Sequence, residues 1–181
     1  MPSATRSAPE EIEQAMEACT AGRSLQIPAS VVRKWMGSYD NETLGAVYAF
    51  LSKERYCSCI RPPLSRDEVH SFLLRYYGKC LSGDFRGEWI HGRYEAGWEF
   101  AGFLRHACSL LPESEYVVKQ SVQMLAELYL AGGEDVRQCI VTAILEHLLN
   151  DKNVRPAFGS WKRNAVLHEA CQLAGEKGTG N

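Results

Sequence analysis

The sequence predicts an all-α fold, a single compact bundle of about seven or eight helices. The first observation behind this prediction is residues 135–149, DVRQCIVTAILEHLL, where apolar side chains recur at helical spacing on almost every side. The second is the same spacing in several other stretches, and the third is the set of capping, proline and glycine residues between them. Because 181 residues with 45% hydrophobic content can bury a sizeable core, residues 135–149 are predicted to be its central helix.

Four helices are predicted in the N-terminal part of the domain, after a flexible tail at residues 1–8. Each has a residue that suits a first helical turn, followed by an apolar face. Residues 55–64, which include a double proline, are predicted to form an irregular connector or a short strand before the fourth helix. The predicted starts are Pro9, Pro28, Asp40 or Asn41, and the capping box of Ser65 and Glu68.

Residues 87–111 combine glycine and aromatic residues and are predicted to contain a helix packed on more than one side. A glycine inside a helix costs about 1 kcal/mol relative to alanine, so it needs a packing reason. Gly97 and Gly102 are therefore expected to let a neighbouring helix or aromatic ring approach closely.

The C-terminal part is predicted to place the central helix in one HEAT-like helical hairpin, with Gly132–Gly133 as its turn. A solenoid would need about three such units, and the sequence contains one. A last helix at residues 164–174 ends the domain, which spans residues 9–174, and a flexible tail follows at residues 175–181. The connector before the last helix is expected to be anchored by Val154, Phe158 and Trp161.

Charge and composition favour a protein or small-molecule partner over nucleic acid or membrane. Twenty basic and twenty-two acidic residues give a net charge of -2, without the basic excess of a nucleic-acid binder. No stretch approaches the roughly 20 apolar residues of a spanning helix, so a cytoplasmic protein is expected. Seven cysteines, an odd number set mostly in helical apolar patterns, argue against a disulfide framework.

Two stretches carry a resemblance to known proteins. Arg93–Trp98, RYEAGW, and Val136–Leu148, VRQCIVTAILEHL, resemble segments of a group of uncharacterised bacterial all-helical proteins. The resemblance covers residues 65–161 and implies an all-α fold and a bacterial source. It implies no activity and no catalytic residues.

A metal site is the first catalytic possibility, because His91, Glu95 and Glu99 follow one another at helical i, i+4, i+8 spacing. Glu88 and His91 also form the E-x-x-H step of di-iron proteins, but the sequence has no second such pair. We therefore expect an ion-paired or solvated face, with no metal and no cofactor.

Other catalytic signatures are weaker still. The set of Cys57, Cys59, His70 and Cys80 fails the usual zinc spacing, since only one residue separates the first two cysteines. The sequence also has no nucleophile elbow, cysteine-protease signature or phosphate-binding glycine loop. The sequence therefore favours a protein that is not an enzyme.

An aromatic and charged set is the strongest pointer to a binding site. Arginine, tryptophan and tyrosine dominate recognition hot spots, because they combine contact area with a fixed polar head. A competing interpretation, which the sequence favours, makes Tyr94 and Trp98 core residues and Arg93 a buried arginine paired with a carboxylate. Glu146, or His147 beside it, is predicted to meet Arg93. The candidate binding residues are Trp89, Arg93, Tyr94, Glu95, Trp98 and Glu146.

The function predicted from the sequence is that of a non-enzymatic interaction protein of the bacterial cytosol. It would bind and mask a protein, as immunity proteins and antitoxins do. One alternative is a small metal-binding protein or enzyme that uses His91, Glu95 and Glu99 with Glu146 and His147. Another is a regulatory module that binds a small ligand within the bundle. The sequence leaves the oligomeric state open.

Overall fold

The computed structural model describes residues 7–21 and 26–178, and for residues 176–178 it describes the backbone only. Most of the described residues are helical. This confirms the all-α prediction, although the described residues hold ten α-helical segments rather than seven or eight. The α-helices are α1 (Ala8–Thr20), α2 (Ala29–Met36), α3 (Asn41–Leu51), α4 (Glu54–Cys57), α5 (Arg66–Ser82), α6 (Arg93–Ser109), α7 (Glu115–Ala131), α8 (Glu134–Cys139), α9 (Glu146–Leu148) and α10 (Ala165–Gly178).

The chain forms two compact units. The first comprises Met1–Tyr76 and Arg86–His91, and the second comprises Tyr77–Phe85 and Gly92–Asn181. Helix α5 therefore contributes residues to both units. The single domain predicted for residues 9–174 stays a prediction.

Local capping residues fix the helix starts of the first unit. Ser7 and Glu10 form a capping box at α1. The carboxylate of Asp40 accepts a hydrogen bond of 2.7 Å from the Thr43 N–H at the start of α3. A second capping box begins α5, where the Ser65 N–H donates to Glu68 Oε2 at 2.8 Å. The caps predicted for α3 and α5 are therefore confirmed.

The predicted connector at residues 55–64 contains both a helical turn and a strand. Three of the four residues of the single turn α4 lie in this connector, and β2 (Ile60–Arg61) follows and pairs in parallel with β1 (Ile27–Pro28). The Ile27 N–H extends this ladder by donating to the Cys59 carbonyl at 2.9 Å. Ile27 and Ile60 are both buried, so their pairing brings the segment before α2 onto this connector.

The central helix of the second unit is built from three consecutive elements, which are α8, a π-helical segment (Ile140–Leu145) and α9. Eight of its side chains are buried, which confirms the predicted core helix. His147, however, is exposed, whereas Leu148 is fully buried. Leu148 follows the buried Ile144 and Leu145 by four and three positions and continues their side of the helix, whereas His147 lies on the solvent side.

Gly97 of α6 lies directly against the central helix. A Cβ at Gly97 would be 2.8 Å from the Ala143 Cβ and 3.4 Å from the Cys139 Sγ. The close approach predicted at Gly97 is therefore confirmed. The same prediction is wrong for Gly102, which is exposed and whose Cβ would meet nothing within 4 Å.

The turn between α7 and α8 confirms the predicted helical hairpin. A Cβ at Gly132 would lie 2.5 Å from the Leu128 carbonyl oxygen and 2.8 Å from the Val136 Cβ, so only glycine fits there. Arg137 then reaches back and donates from Nε to the Tyr129 carbonyl at 2.9 Å. The hairpin is thus closed by both backbone and side-chain contacts.

The end of the chain is more helical than predicted. The connector forms a 3₁₀-helix (Arg155–Arg163), and its predicted anchors are all buried. Asn164 caps α10, which continues to Gly178, so residues 175–178, which the sequence places in the tail, are helical. Residues 1–6 and 179–181 of the two predicted tails lie outside the described residues. The anchors are Val154, Phe158 and Trp161.

Gly97→Ala should destabilise the protein by about 1–3 kcal/mol, because the new methyl group overlaps Ala143 in a packed helix crossing. Chemical denaturation of the purified variants measures the effect. Gly102→Ala is the matched control on the same helix. It should raise the free energy of unfolding by about 0.5–1 kcal/mol, because it relieves the helical cost of glycine without a clash. Equal stabilisation by both changes would contradict the close approach at Gly97.

The ion pair between Arg33 and Glu68 should make the first unit sensitive to acid. Arg33 donates from Nε to Glu68 at 2.6 Å, and this hydrogen bond lowers the pKa of Glu68 to about 2. A carboxylate with a lowered folded-state pKa stabilises above its unfolded pKa, and this contribution disappears as the pH falls through the folded value. We expect Glu68→Gln to weaken the loss of stability between pH 4.5 and about 2. An unchanged acid-unfolding profile of this variant would contradict the pairing.

Candidate functional site

Tyr94 and Trp98 of α6 are exposed, with 40% and 57% of their surfaces accessible. Their ring centroids lie 6.4 Å apart, so the two rings form an aromatic pair one helical turn apart. The interpretation of these residues as core is therefore wrong. The buried side of α6 is occupied instead by Ala96, Gly97, Phe100, Ala101, Leu104, Ala107 and Cys108.

Acidic side chains accompany this aromatic pair. Glu95 and Glu99 are both exposed and lie four positions apart, and Glu95 precedes Trp98 by three positions, so these side chains share the exposed side of α6. Gly102 follows Trp98 by one turn and leaves space beside the indole. We call the surface formed by Tyr94, Glu95, Trp98, Glu99 and Gly102 the α6 face.

Arg93 anchors the first turn of α6. Its Nε donates to the carbonyl oxygens of Leu81 at 3.0 Å and Gly83 at 3.2 Å, at the carboxyl end of α5. A guanidinium group suits this position, because the last carbonyls of a helix lack backbone partners and carry partial negative charge. The interpretation of Arg93 as a structural arginine therefore has a geometric basis, with these carbonyls as partners. Its role is to fix the start of the α6 face.

Cys139 also fixes this end of α6. Its thiol donates to the Arg93 carbonyl at 3.5 Å. Burial raises the pKa of Cys139 to about 11, against the opposing effect of the nearby Arg93 charge. The thiol therefore stays protonated at neutral pH and serves as a hydrogen-bond donor.

The central helix presents Glu146 and His147 differently. Glu146 is half-buried at the start of α9, whereas His147 is exposed and its carbonyl accepts a 2.8 Å hydrogen bond from Arg105 Nη2. The predicted contact between Glu146 and Arg93 stays a prediction.

Trp89 belongs to the first unit, whereas the other five candidate binding residues belong to the second. Helix α3 holds its backbone, because Glu42 Oε2 accepts from the Trp89 N–H at 2.9 Å and from the Glu88 N–H at 3.0 Å. A Cβ at Gly45 would lie 2.3 Å from the Trp89 carbonyl. The half-buried indole borders a groove of about 430 Å³ beside α1.

Sequence reasoning missed Glu42 and Gly45, although a glycine inside an apolar helix signals a close approach.

The metal-site spacing of His91, Glu95 and Glu99 is not realised. Gly92 is the N-cap of α6, so His91 precedes the helix and does not share its register. The His91 N–H donates to the Tyr76 hydroxyl at 3.2 Å, and its ring packs edge-on against Tyr48 at 5.0 Å. In the part of the chain that the structure describes, no group of three His, Cys, Asp or Glu side chains could hold a metal ion.

The comparisons with known proteins give no match to a family model, a curated protein or a solved structure. The resemblance to bacterial all-helical proteins therefore stays a prediction. Among the described helices, none combines the length and apolarity needed to cross a membrane.

Arg93→Ala should lower the melting temperature by several degrees, because two carbonyls at the end of α5 lose their donor. Thermal unfolding followed by circular dichroism measures this change. Trp98→Ala is the control from the same helix, and its exposed side chain should cost little stability. If Arg93→Ala left the melting temperature unchanged while Trp98→Ala lowered it, the assigned structural and surface roles would be reversed.

Proposed function

We propose that the protein is a non-enzymatic interaction protein whose α6 face binds a protein partner. The observation that carries this proposal is the exposed pair of Tyr94 and Trp98. Large aromatic side chains lose apolar hydration when a partner covers them, and tryptophan and tyrosine are enriched among the residues that dominate binding energy. Their exposure on an ordered helix therefore supports an interface.

Charge on the α6 face supports a basic partner surface. Glu95 and Glu99 place two carboxylates beside the aromatic pair. A lysine or arginine of the partner gains both from these carboxylates and from the face of an indole or phenol ring. The partner is therefore proposed to present basic side chains around an apolar centre.

The α6 face is also preorganised. Gly97 packs against Ala143, the Cys139 thiol donates to the first carbonyl of α6, and Arg93 ties the same turn to α5. A surface that is already fixed loses less conformational entropy on binding. Such a surface suits a protein that masks its partner, as an immunity protein or antitoxin of the bacterial cytosol does.

Replacing both aromatic residues of the α6 face should abolish partner binding without unfolding the protein. The measurement is cross-linking and affinity purification from the native host, followed by a binding constant for the purified partner. We expect Trp98→Ala alone to cost about 2 kcal/mol or more, which is roughly a thirtyfold loss of affinity. Replacing Glu95 and Glu99 by lysine should lower the affinity of the same complex, and the loss of affinity should be larger at low salt than at high salt.

Tyr116→Ala is the matched control, since Tyr116 is also exposed, at 69%, but lies on α7. It should leave the partner's affinity unchanged. A folded Tyr94→Ala, Trp98→Ala double variant that still binds the partner with wild-type affinity would overturn the proposal.

A further inference from the structure

A second surface of the second unit has a different chemistry. It is a groove of about 350 Å³ between the end of the central helix, the 3₁₀-helix and α10. This volume lies near the lower end of the range for small-molecule sites, which is about 300–1,000 Å³. Its lining residues include Leu149, Arg155, Phe158, Lys162, His168 and Cys171.

The groove has an apolar floor. Phe158 is only 3% exposed and packs edge-on against the buried Trp161, with ring centroids 5.2 Å apart. Leu149 and Cys171 are half-buried beside it. Burial raises the pKa of Cys171, so its thiol remains neutral and adds to the apolar surface.

The rim of the groove carries two cationic side chains, Arg155 and Lys162, and an imidazole, His168. Arg155, Lys162 and His168 are all exposed there. Arg155 Nε donates to the Leu149 carbonyl at 2.9 Å, which holds the guanidinium group at the edge of the floor. Lys162 lines the same groove as Phe158 and Cys171. Among the lining residues that the structure describes, none is acidic.

We propose that this groove binds a small organic anion with an apolar body, the anionic head meeting Arg155 and Lys162 and the body covering Phe158. Apolar contact supplies area, and the two cations supply charge-assisted hydrogen bonds that fix the orientation. A larger groove of about 490 Å³ on the same unit is lined by Glu134 and Glu169 as well as Arg137. Its mixed charge lacks this preference for anions. The anion site does not depend on the α6 face.

Titration calorimetry on the full chain tests the proposal with octanoate as the probe. Octanamide has the same apolar body without the charge, and acetate has the charge without the body. We expect octanoate to bind at one site, and octanamide and acetate to bind at least about tenfold more weakly, because each lacks one of the two contributions. Octanoate should also slow alkylation of Cys171, read by mass spectrometry, without protecting Cys57 in the first unit.

Two variants assign the binding to the groove. Lys162→Gln should weaken octanoate about tenfold, whereas Lys152→Gln, an exposed lysine that does not line the groove, should leave it unchanged. Gly175→Leu adds a side chain to the groove where a Cβ meets nothing within 4 Å, so it should block octanoate without lowering the melting temperature.

Equal affinity for octanoate and octanamide, or no loss of octanoate binding in a folded Gly175→Leu variant, would overturn the anion site. No detectable octanoate binding by the wild-type chain would overturn it too. Trp98→Ala should bind octanoate normally, so failure of the anion site and failure of the α6 face as a protein interface are distinguishable.

Discussion

The close approach of α6 to the central helix determines what the second unit can present to a partner. Gly97 brings the two backbones together because no side chain stands between it and Ala143. Successive residues of an α-helix differ by about 100° around the axis, so fixing Gly97 inward fixes the side of every other residue of α6. Tyr94 and Trp98 consequently lie outside the packed interface, where ordinary hydrophobic patterning would have placed them inside.

Arginine side chains stabilise the carboxyl ends of several helices. In each unit, guanidinium groups donate to carbonyls that a helix leaves without backbone partners. These arginines therefore have a structural role at helix ends. The side chain of Lys162 is exposed on the groove that Phe158 lines. The arginines that donate to the carboxyl end of a helix are Arg75 for α2, Arg93 for α5, Arg137 for α7, and both Arg105 and Arg155 for the central helix.

Features set by local chemistry were predictable from the sequence, and features set by distant contacts were not. The caps at Asp40 and Ser65 depend on residues three positions away, and the structure has both. The metal spacing at His91 failed because α6 begins one turn later than its apolar pattern suggests. The side of α6 that faces solvent depends on Ala143, which lies far along the chain from Gly97. A single sequence does not encode that pairing in any local pattern.

The carboxyl end of the central helix connects α6 to the proposed anion groove. Arg105 of α6 donates to the His147 carbonyl and pairs with Asp151 at 3.6 Å. Two residues after His147, the Leu149 carbonyl accepts from Arg155, which borders the groove. One helix end is therefore capped from both sides, by the helix that carries the α6 face and by the segment that carries the groove. Because the guanidinium groups of Arg105 and Arg155 both bind this turn, the end of the central helix helps to preorganise both the α6 face and the anion groove.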